Sequence, residues 1–137
     1  MGNNLQNALA LAGRLLFVAL FLPEGIGKIN DFGGIAEYIG SAGLPFPSLG
    51  AGIAIAVEVG GSLALLAGLQ TRLAAAAMAI FTVAAAVFFH KFWALSGNDA
   101  MVEHIMFFKD LAIAGGLCLL VAFGAGEWSM DSKLNHR

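Results

Sequence analysis

The residues of this sequence that could do chemistry are the few ionisable side chains that interrupt its long apolar runs. Charged residues make up 12% of the 137 residues, against 59% for hydrophobic ones. An ionisable side chain at membrane depth costs about 2.5–3.5 kcal/mol on insertion scales, so each one is a candidate functional residue. Two groups stand out: a pair inside the first two apolar runs, and a larger set around the ends of the runs away from the termini.

Arg14 and Glu58 form the first candidate site. Each is about the tenth residue of its apolar run, so at about 1.5 Å rise per residue both approach the middle of a bilayer. Opposite charges at matching depth on adjacent helices are predicted to pair. The favoured interpretation is a buried ion pair that sets helix register, and the alternative is a ligand or proton site.

The second candidate site lies at the end of the bundle opposite the termini. Glu24 and Lys28 are four residues apart in the favourable helical order, just after Pro23, which is expected to kink the helix. Glu103 and Asp110 are seven apart and share a helix face. We predict a polar pocket for a small polar head group, with Lys28 as its best anchor. The predicted members are Glu24, Lys28, His90, His104, Lys109 and Asp110.

Two simpler interpretations compete with this pocket. His90, His104 and the nearby carboxylates have metal-binding chemistry, but their spacing matches no standard motif, so no metal is predicted. The charged side chains could also snorkel to the membrane surface. The pocket is preferred slightly, because a simple membrane anchor has no need of charges at membrane depth. No catalytic residue can be assigned from these patterns.

Four apolar runs must position these residues, and each is long enough to cross a bilayer. A spanning helix needs about 20 mostly apolar residues. In lipid the backbone must satisfy its own polar groups, and the absence of period-two alternation excludes a barrel, so the runs are predicted to be helices. The predicted spans run from about Leu5 to Gly27, Leu49 to Leu69, Leu73 to Phe89 and Ile105 to Phe123.

The connections between the spans differ in length. Gln70-Thr71-Arg72 is predicted to be a tight hairpin, and the stretch from His90 to His104 is predicted to turn at Gly97-Asn98-Asp99. Asp31 is predicted to cap a short amphipathic helix over Phe32–Ser41. The expected fold is therefore all-α: a single integral membrane domain over residues 1–137, built as a four-helix transmembrane bundle with a short amphipathic helix between helices 1 and 2.

Charge counts and small residues bear on orientation and partners. Basic residues number four on the terminal side and three on the other, which favours cytoplasmic termini in a multi-pass inner membrane protein. They are Arg14, Arg72, Lys133 and Arg137 against Lys28, Lys91 and Lys109. No basic run exists, so the expected partner is the lipid bilayer and not nucleic acid.

Gly60, Ala64 and Gly68 indicate close packing within the bundle or, alternatively, a homo-oligomer seam.

Several short motifs occur along the chain in a characteristic order. They are Arg14, Gly25-x-x-Lys28, Gly43-Leu44-Pro45-x-Pro47, Glu58-x-x-Gly61, Gly68-Leu69-x-x-Arg72, Lys109-Asp110-Leu111 and Gly115-Gly116. In this order and spacing they resemble the DoxX family of small four-helix bacterial membrane proteins over nearly the whole chain. The family usually has Asn where Asp110 stands, so this chain adds a carboxylate at that position.

The resemblance implies a role in membrane redox chemistry. One relative forms the membrane part of a thiosulfate:quinone oxidoreductase, and others are associated with redox-enzyme assemblies and oxidative-stress responses. The expected function is a subunit or accessory protein of a quinone-linked redox system, with a quinone or a small anion as the ligand and a redox protein as the partner. The alternatives are a non-catalytic membrane anchor for a soluble partner, or a small-solute permease. Disulfide chemistry is excluded because Cys118 has no partner cysteine.

Overall fold

Four long apolar helices make up the body of the protein. The structure is a computed structural model that describes residues 2–135, so the contribution of Arg137 to the charge count lies outside the described residues. Four of the six α-helices are long and apolar enough to cross a membrane, and residues 2–135 contain no strand. The predicted all-α transmembrane bundle is confirmed. The helices are α1 (Gly2–Asn30), α2 (Phe32–Ser41), α3 (Pro47–Ala67), α4 (Thr71–Phe89), α5 (Gly97–Phe123) and α6 (Met130–Asn135).

The outer surface of the bundle is apolar, as a lipid environment requires. Leu16 and Ile80 are each 72% exposed, and Phe123 is 79% exposed. A soluble protein of this size could not leave so much apolar surface in water, whereas lipid chains solvate it directly. The large side chains that point inward form a small core, made of Val18, Phe21, Leu65, Met78, Leu117 and Leu120.

Glycines allow the long helices to approach closely. A Cβ at Gly25 would lie 2.7 Å from Val59 Cγ2 and 3.2 Å from the Val59 backbone nitrogen, so α1 and α3 are in direct contact there. Such contacts between small residues are the usual means of helix association in lipid, where no hydrophobic effect drives helices together. Gly25 therefore determines which residues of α1 lie opposite Glu58 on α3.

Helix α2 matches its predicted bounds and lies across the start of α3. The side chain of Asp31 accepts a hydrogen bond from the Gly34 backbone N–H at 3.2 Å, which caps the helix. Ile39 is buried, and the Tyr38 ring stacks on Phe89 with centroids 5.1 Å apart. The short amphipathic helix is confirmed, and it joins the start of α3 to the end of α4.

Two predicted turns are displaced along the chain. Helix α5 begins at Gly97, well before the predicted start at Ile105, so Gly97-Asn98-Asp99 is its first turn and not a separate loop. The hairpin between α3 and α4 occupies Gly68–Gln70, because Gly68 has φ 65° and ends α3 in the left-handed conformation. Asp110 therefore lies about 20 Å from the start of α5, at about 1.5 Å per residue, which is deeper than the predicted start at Ile105 implied.

Both described ends of the chain meet at one side of the bundle. Asn7 in α1 donates a side-chain hydrogen bond to the Glu127 carboxylate at 2.7 Å, and its own Oδ1 accepts from the Glu127 backbone N–H at 3.0 Å. An even number of spans explains this contact.

Thiol labelling should place both ends of the chain on the cytoplasmic side. In a Cys118→Ser background, Asn3→Cys and Asn135→Cys should react with a membrane-impermeant reagent only in inverted vesicles, because four spans return the chain to its starting side. Ser96→Cys, in the connection before α5, is the control and should react only in right-side-out vesicles. Reaction of positions 3 and 135 from opposite sides would contradict the fold, and reaction of both from outside would reverse the predicted orientation.

Candidate functional site

The ionisable residues inside the bundle form two separate groups, one at each end. The group opposite the termini contains Glu24, Lys28, Glu58, His90, Glu103 and Asp110, and we call it the far-end site. The group on the terminal side contains Arg14 and Asp131, and we call it the terminal clasp. The two groups have different surroundings, since cavities border the far-end site while the Arg14 side chain is enclosed by backbone carbonyls.

A lysine and a glutamate form the interior ion pair of the far-end site. Lys28 Nζ lies 3.0 Å from Glu58 Oε1 and 2.9 Å from Oε2, and it approaches Glu24 Oε2 at 3.8 Å. The Glu58 side chain is only 6% exposed and that of Lys28 is 19% exposed, whereas Glu24 is 65% exposed. Glu58 is thus a buried carboxylate whose charge is balanced by one lysine.

The predicted pair between Arg14 and Glu58 is wrong. Among residues 2–135 Arg14 forms no ion pair, and Glu58 pairs with Lys28 instead. The close contact of Gly25 with Val59 shows the reason, because it brings the far end of α1, not its middle, beside Glu58. Arg14 is eleven residues earlier on the same helix, or about 16 Å away at about 1.5 Å per residue.

Glu58 lies in a local distortion of its helix. Residues Ala56–Gly60 form a π-helical turn within α3. A π-turn carries an extra residue in the helical repeat and occurs mostly as a single turn, often at a functional site. The sequence contains no signal for this turn, since no proline interrupts α3 after Pro47. The distortion marks Glu58 as a position where the regular helix is disturbed.

A histidine between two carboxylates forms the other half of the far-end site. His90 Nδ1 lies 2.6 Å from Glu103 Oε2, and His90 Nε2 lies 3.6 Å from Asp110 Oδ2. His90 is the C-cap residue that follows α4. Glu103 and Asp110 lie on one face of α5, as their seven-residue spacing predicted. Glu103 was not among the predicted pocket members, although its spacing from Asp110 was the signal that could have added it.

Two predicted pocket members lie elsewhere. His104 is exposed and packs against Phe92, with ring centroids 4.8 Å apart, and Lys109 is exposed without an ion pair among the described residues. Each directly neighbours one of the inward carboxylates, Glu103 or Asp110. One residue along a helix is about 100° around its axis, so adjacent residues cannot share an inward face.

Two adjoining cavities lie among the side chains of the far-end site. The larger has a volume of about 550 Å³ and is bordered by Lys28, Glu58 and His90 together with apolar and aromatic side chains. The smaller has about 310 Å³ and extends to Thr82 and Asp110. Glu24, Glu58, Phe81, Ala85 and His90 border both. The structure thus brings Glu24, Lys28, His90 and Asp110 of the predicted pocket around open space.

The terminal clasp closes the opposite end of the bundle. Arg14 is 1% exposed, and its guanidinium donates to the Leu65 carbonyl at 3.1 Å and to the Trp128 carbonyl at 2.6 Å. A Cβ at Gly68 would collide with Arg14 Nη1 and lie 3.0 Å from the Ser129 Cα, and the φ of 65° at Gly68 also favours glycine. Arg14 therefore ties α1 to the end of α3 and to the segment that follows α5.

Asp131 completes the terminal clasp outside the membrane-spanning helices. Its carboxylate accepts hydrogen bonds from the backbone N–H groups of Gln70 at 2.7 Å and Thr71 at 2.9 Å, at the start of α4. Burial raises the pKa of Asp131, but hydrogen bonds from Thr71 and Gln70 and the charge of Arg14 outweigh it, so the pKa is below its ordinary value. The carboxylate is held in its charged form.

The fold and the far-end site define a small multi-pass membrane protein with an ionisable cavity at one end. The DoxX family model matches residues 9–91, and the SURF4 family model matches residues 51–136. The chain belongs to the DoxX family, so the resemblance seen in its motifs is confirmed.

Two proteins of Escherichia coli (strain K12) are similar over almost their full length. "Inner membrane protein YphA" is 34% identical over 125 residues, which cover 91% of this chain and 89% of that protein. "Inner membrane protein YqjF" is 37% identical over 133 residues, which cover 97% of both. No solved structure matches the chain. With its four apolar helices, the protein is a multi-pass inner membrane protein.

Removing Lys28 should destabilise the protein strongly, because Glu58 would be left as an unpaired buried charge. Lys28→Ala should lower the free energy of unfolding by about 3 kcal/mol, the low end of the range for broken buried pairs, since Lys28 keeps some exposure. Unfolding by denaturing detergent in mixed micelles measures this. The double variant Lys28→Met, Glu58→Leu should recover most of the loss, and the exposed Lys109→Ala is the matched control. Equal stability of Lys28→Ala and Lys109→Ala would contradict the pairing.

Acidification should release the terminal clasp. The folded pKa of Asp131 is lower than its unfolded value, so its stabilisation is present above the unfolded pKa and is lost as pH falls through the folded pKa. Asp131→Ala should lower the free energy of unfolding at neutral pH by about 1 kcal/mol, the size of a lost helix cap. It should also weaken the acid dependence. The exposed Asp99→Ala is the control, and an unchanged acid dependence in Asp131→Ala would refute the assignment.

Proposed function

We propose that this protein is the quinone-binding membrane component of a redox system. The observation that carries the proposal is the larger far-end cavity, which combines apolar and aromatic walls with Lys28, Glu58 and His90. Its volume of about 550 Å³ is within the range of about 300–1,000 Å³ typical of small-molecule sites. Membership of the DoxX family is compatible with this role.

The walls of the cavity suit the ring and the tail of a quinone. Tyr38, Phe81, Phe88 and Phe89 offer flat apolar faces against which a planar head group packs. Ile35, Ile39, Leu44 and Ile53 continue the apolar lining for the first part of an aliphatic tail. A lipid-soluble ligand reaches such a cavity from the bilayer, which a water-soluble anion could not do.

The polar side of the cavity suits the quinone oxygens. The Lys28 ammonium, which borders the cavity, is a donor for a quinone carbonyl oxygen. Reduction of a quinone to a quinol takes up two electrons and two protons, so ionisable groups at the site have a direct use. Cys118 is the single cysteine of the chain, which leaves no dithiol to supply the electrons. We therefore propose that a partner redox enzyme delivers them.

A membrane anchor for a soluble protein is the second candidate function. The observation that favours it is a polar cleft of about 580 Å³ on the terminal side, outside the core of the bundle. Its lining is rich in side chains that form hydrogen bonds, among them Asn3, Gln6, Asn7, Gln70, Arg72 and Glu127. The two functions are compatible, because a redox partner docked at this cleft would be held at the membrane surface.

Filling the cavity should weaken quinone binding. In nanodiscs, the protein should bind a short-chain ubiquinone analogue, and Ala84→Phe should weaken the affinity at least about tenfold, because the added ring occupies the cavity. Ala77→Phe is the matched control, since it adds the same ring to an exposed position of α4 away from the cavity. Equilibrium binding measures both. Absence of saturable binding to the wild-type protein, or equal weakening by both variants, would overturn the proposal.

A further inference from the structure

His90 connects a carboxylate near the end of the bundle with one beside the cavity. Its Nδ1 is 2.6 Å from Glu103, and its Nε2 is 3.6 Å from Asp110. Glu103 is about 9 Å along α5, whereas Asp110 is about 20 Å along it, at about 1.5 Å per residue. The two nitrogens of one imidazole ring therefore face carboxylates at two different depths.

We propose that Glu103, His90 and Asp110 form a proton relay between the aqueous surface and the far-end cavity. Histidine suits this role because its unperturbed pKa lies near neutrality and its two nitrogens exchange protons independently. All three side chains are partly exposed, with 30% for Glu103, 27% for His90 and 23% for Asp110. Each is accessible enough to exchange protons and enclosed enough to keep its orientation.

The transfer balances without any change of oxidation state. For inward transfer, the O–H bond of protonated Glu103 breaks as an N–H bond forms at His90 Nδ1, and the Nε2–H bond breaks as an O–H bond forms on Asp110. One proton has moved from Glu103 to Asp110, and the imidazole ring of His90 has changed its tautomer. A rotation of the ring, or a proton transfer in the opposite direction, restores the first tautomer. His90 Nε2 and Asp110 Oδ2 are 3.6 Å apart, and a small side-chain rotation brings them within hydrogen-bond distance. Catalytic hydrogen bonds are often long before the substrate binds.

Other charged groups around the relay provide its electrostatic setting. Glu24 from α1 and Glu58 from α3 border the smaller cavity together with His90 and Asp110, and Lys28 neutralises part of their charge. Lys91 follows His90 in the chain. Carboxylates therefore outnumber lysines around His90.

The relay gives a role to the Asp110 carboxylate, which borders the smaller cavity and faces His90. On the proposed function, it supplies the protons that quinone reduction consumes, and in that respect it rests on that proposal. Proton exchange at Asp110 can nevertheless be measured with no quinone present, so the failure of one proposal is distinguishable from the failure of the other.

Infrared spectroscopy of the full chain in lipid tests the relay. A protonated carboxyl band that titrates with pH and disappears in Asp110→Asn reports on Asp110, and its hydrogen–deuterium exchange gives the rate of proton access. His90→Ala should slow this exchange by about 10²-fold, the lower range for a positioned acid–base group. Added imidazole should restore the rate in His90→Ala, which a purely structural role of His90 would not permit.

Two further variants make the test decisive. Glu103→Gln preserves size and hydrogen bonding but cannot carry a proton, so it should slow exchange as His90→Ala does, and it remains informative if His90→Ala does not fold. His104→Ala, at an exposed histidine of the same end, is the matched control and should exchange at the wild-type rate. Wild-type exchange in both His90→Ala and Glu103→Gln, or no titrating band assignable to Asp110, would overturn the relay.

Discussion

The burial of Glu58 between membrane-spanning helices is the constraint on which the rest of the far end depends. A carboxylate with 6% exposure needs a positive partner, and Lys28 meets both of its oxygens. Lys28 can do so only because Gly25 lets α1 approach α3 closely. The π-helical turn at Ala56–Gly60 lies at the same level, so backbone, glycine contact and ion pair form one local arrangement.

The two ends of the bundle solve the problem of buried polarity in different ways. At the terminal side, Arg14 is enclosed and bonded to the Leu65 carbonyl in the last turn of α3 and to the Trp128 carbonyl in the segment after α5. At the far end, the ionisable groups border open space, and α2 covers them through the stack of Tyr38 on Phe89. Arg14 therefore serves cohesion at the terminal end, whereas the ionisable groups of the far end line cavities.

A ligand and protons would use different sides of the far-end site. The larger cavity adjoins the Lys28–Glu58 pair and the aromatic walls, whereas the smaller extends to Asp110 and the relay histidine. His90 borders both cavities and therefore lies between them. On the proposed function, this position would let proton exchange accompany the chemistry of the ligand.

The sequence by itself determined the class of fold, the spans, the short helix capped by Asp31 and most members of the far-end site. These follow from local physical rules: apolar runs must become helices in lipid, and a seven-residue spacing puts Glu103 and Asp110 on one face. Only the tertiary structure decided the partner of Glu58 and which face of α5 points inward, which leaves His104 and Lys109 outside the site. The reason is that counting residues along separate spans does not give the register between helices, which depends on where small residues such as Gly25 allow contact.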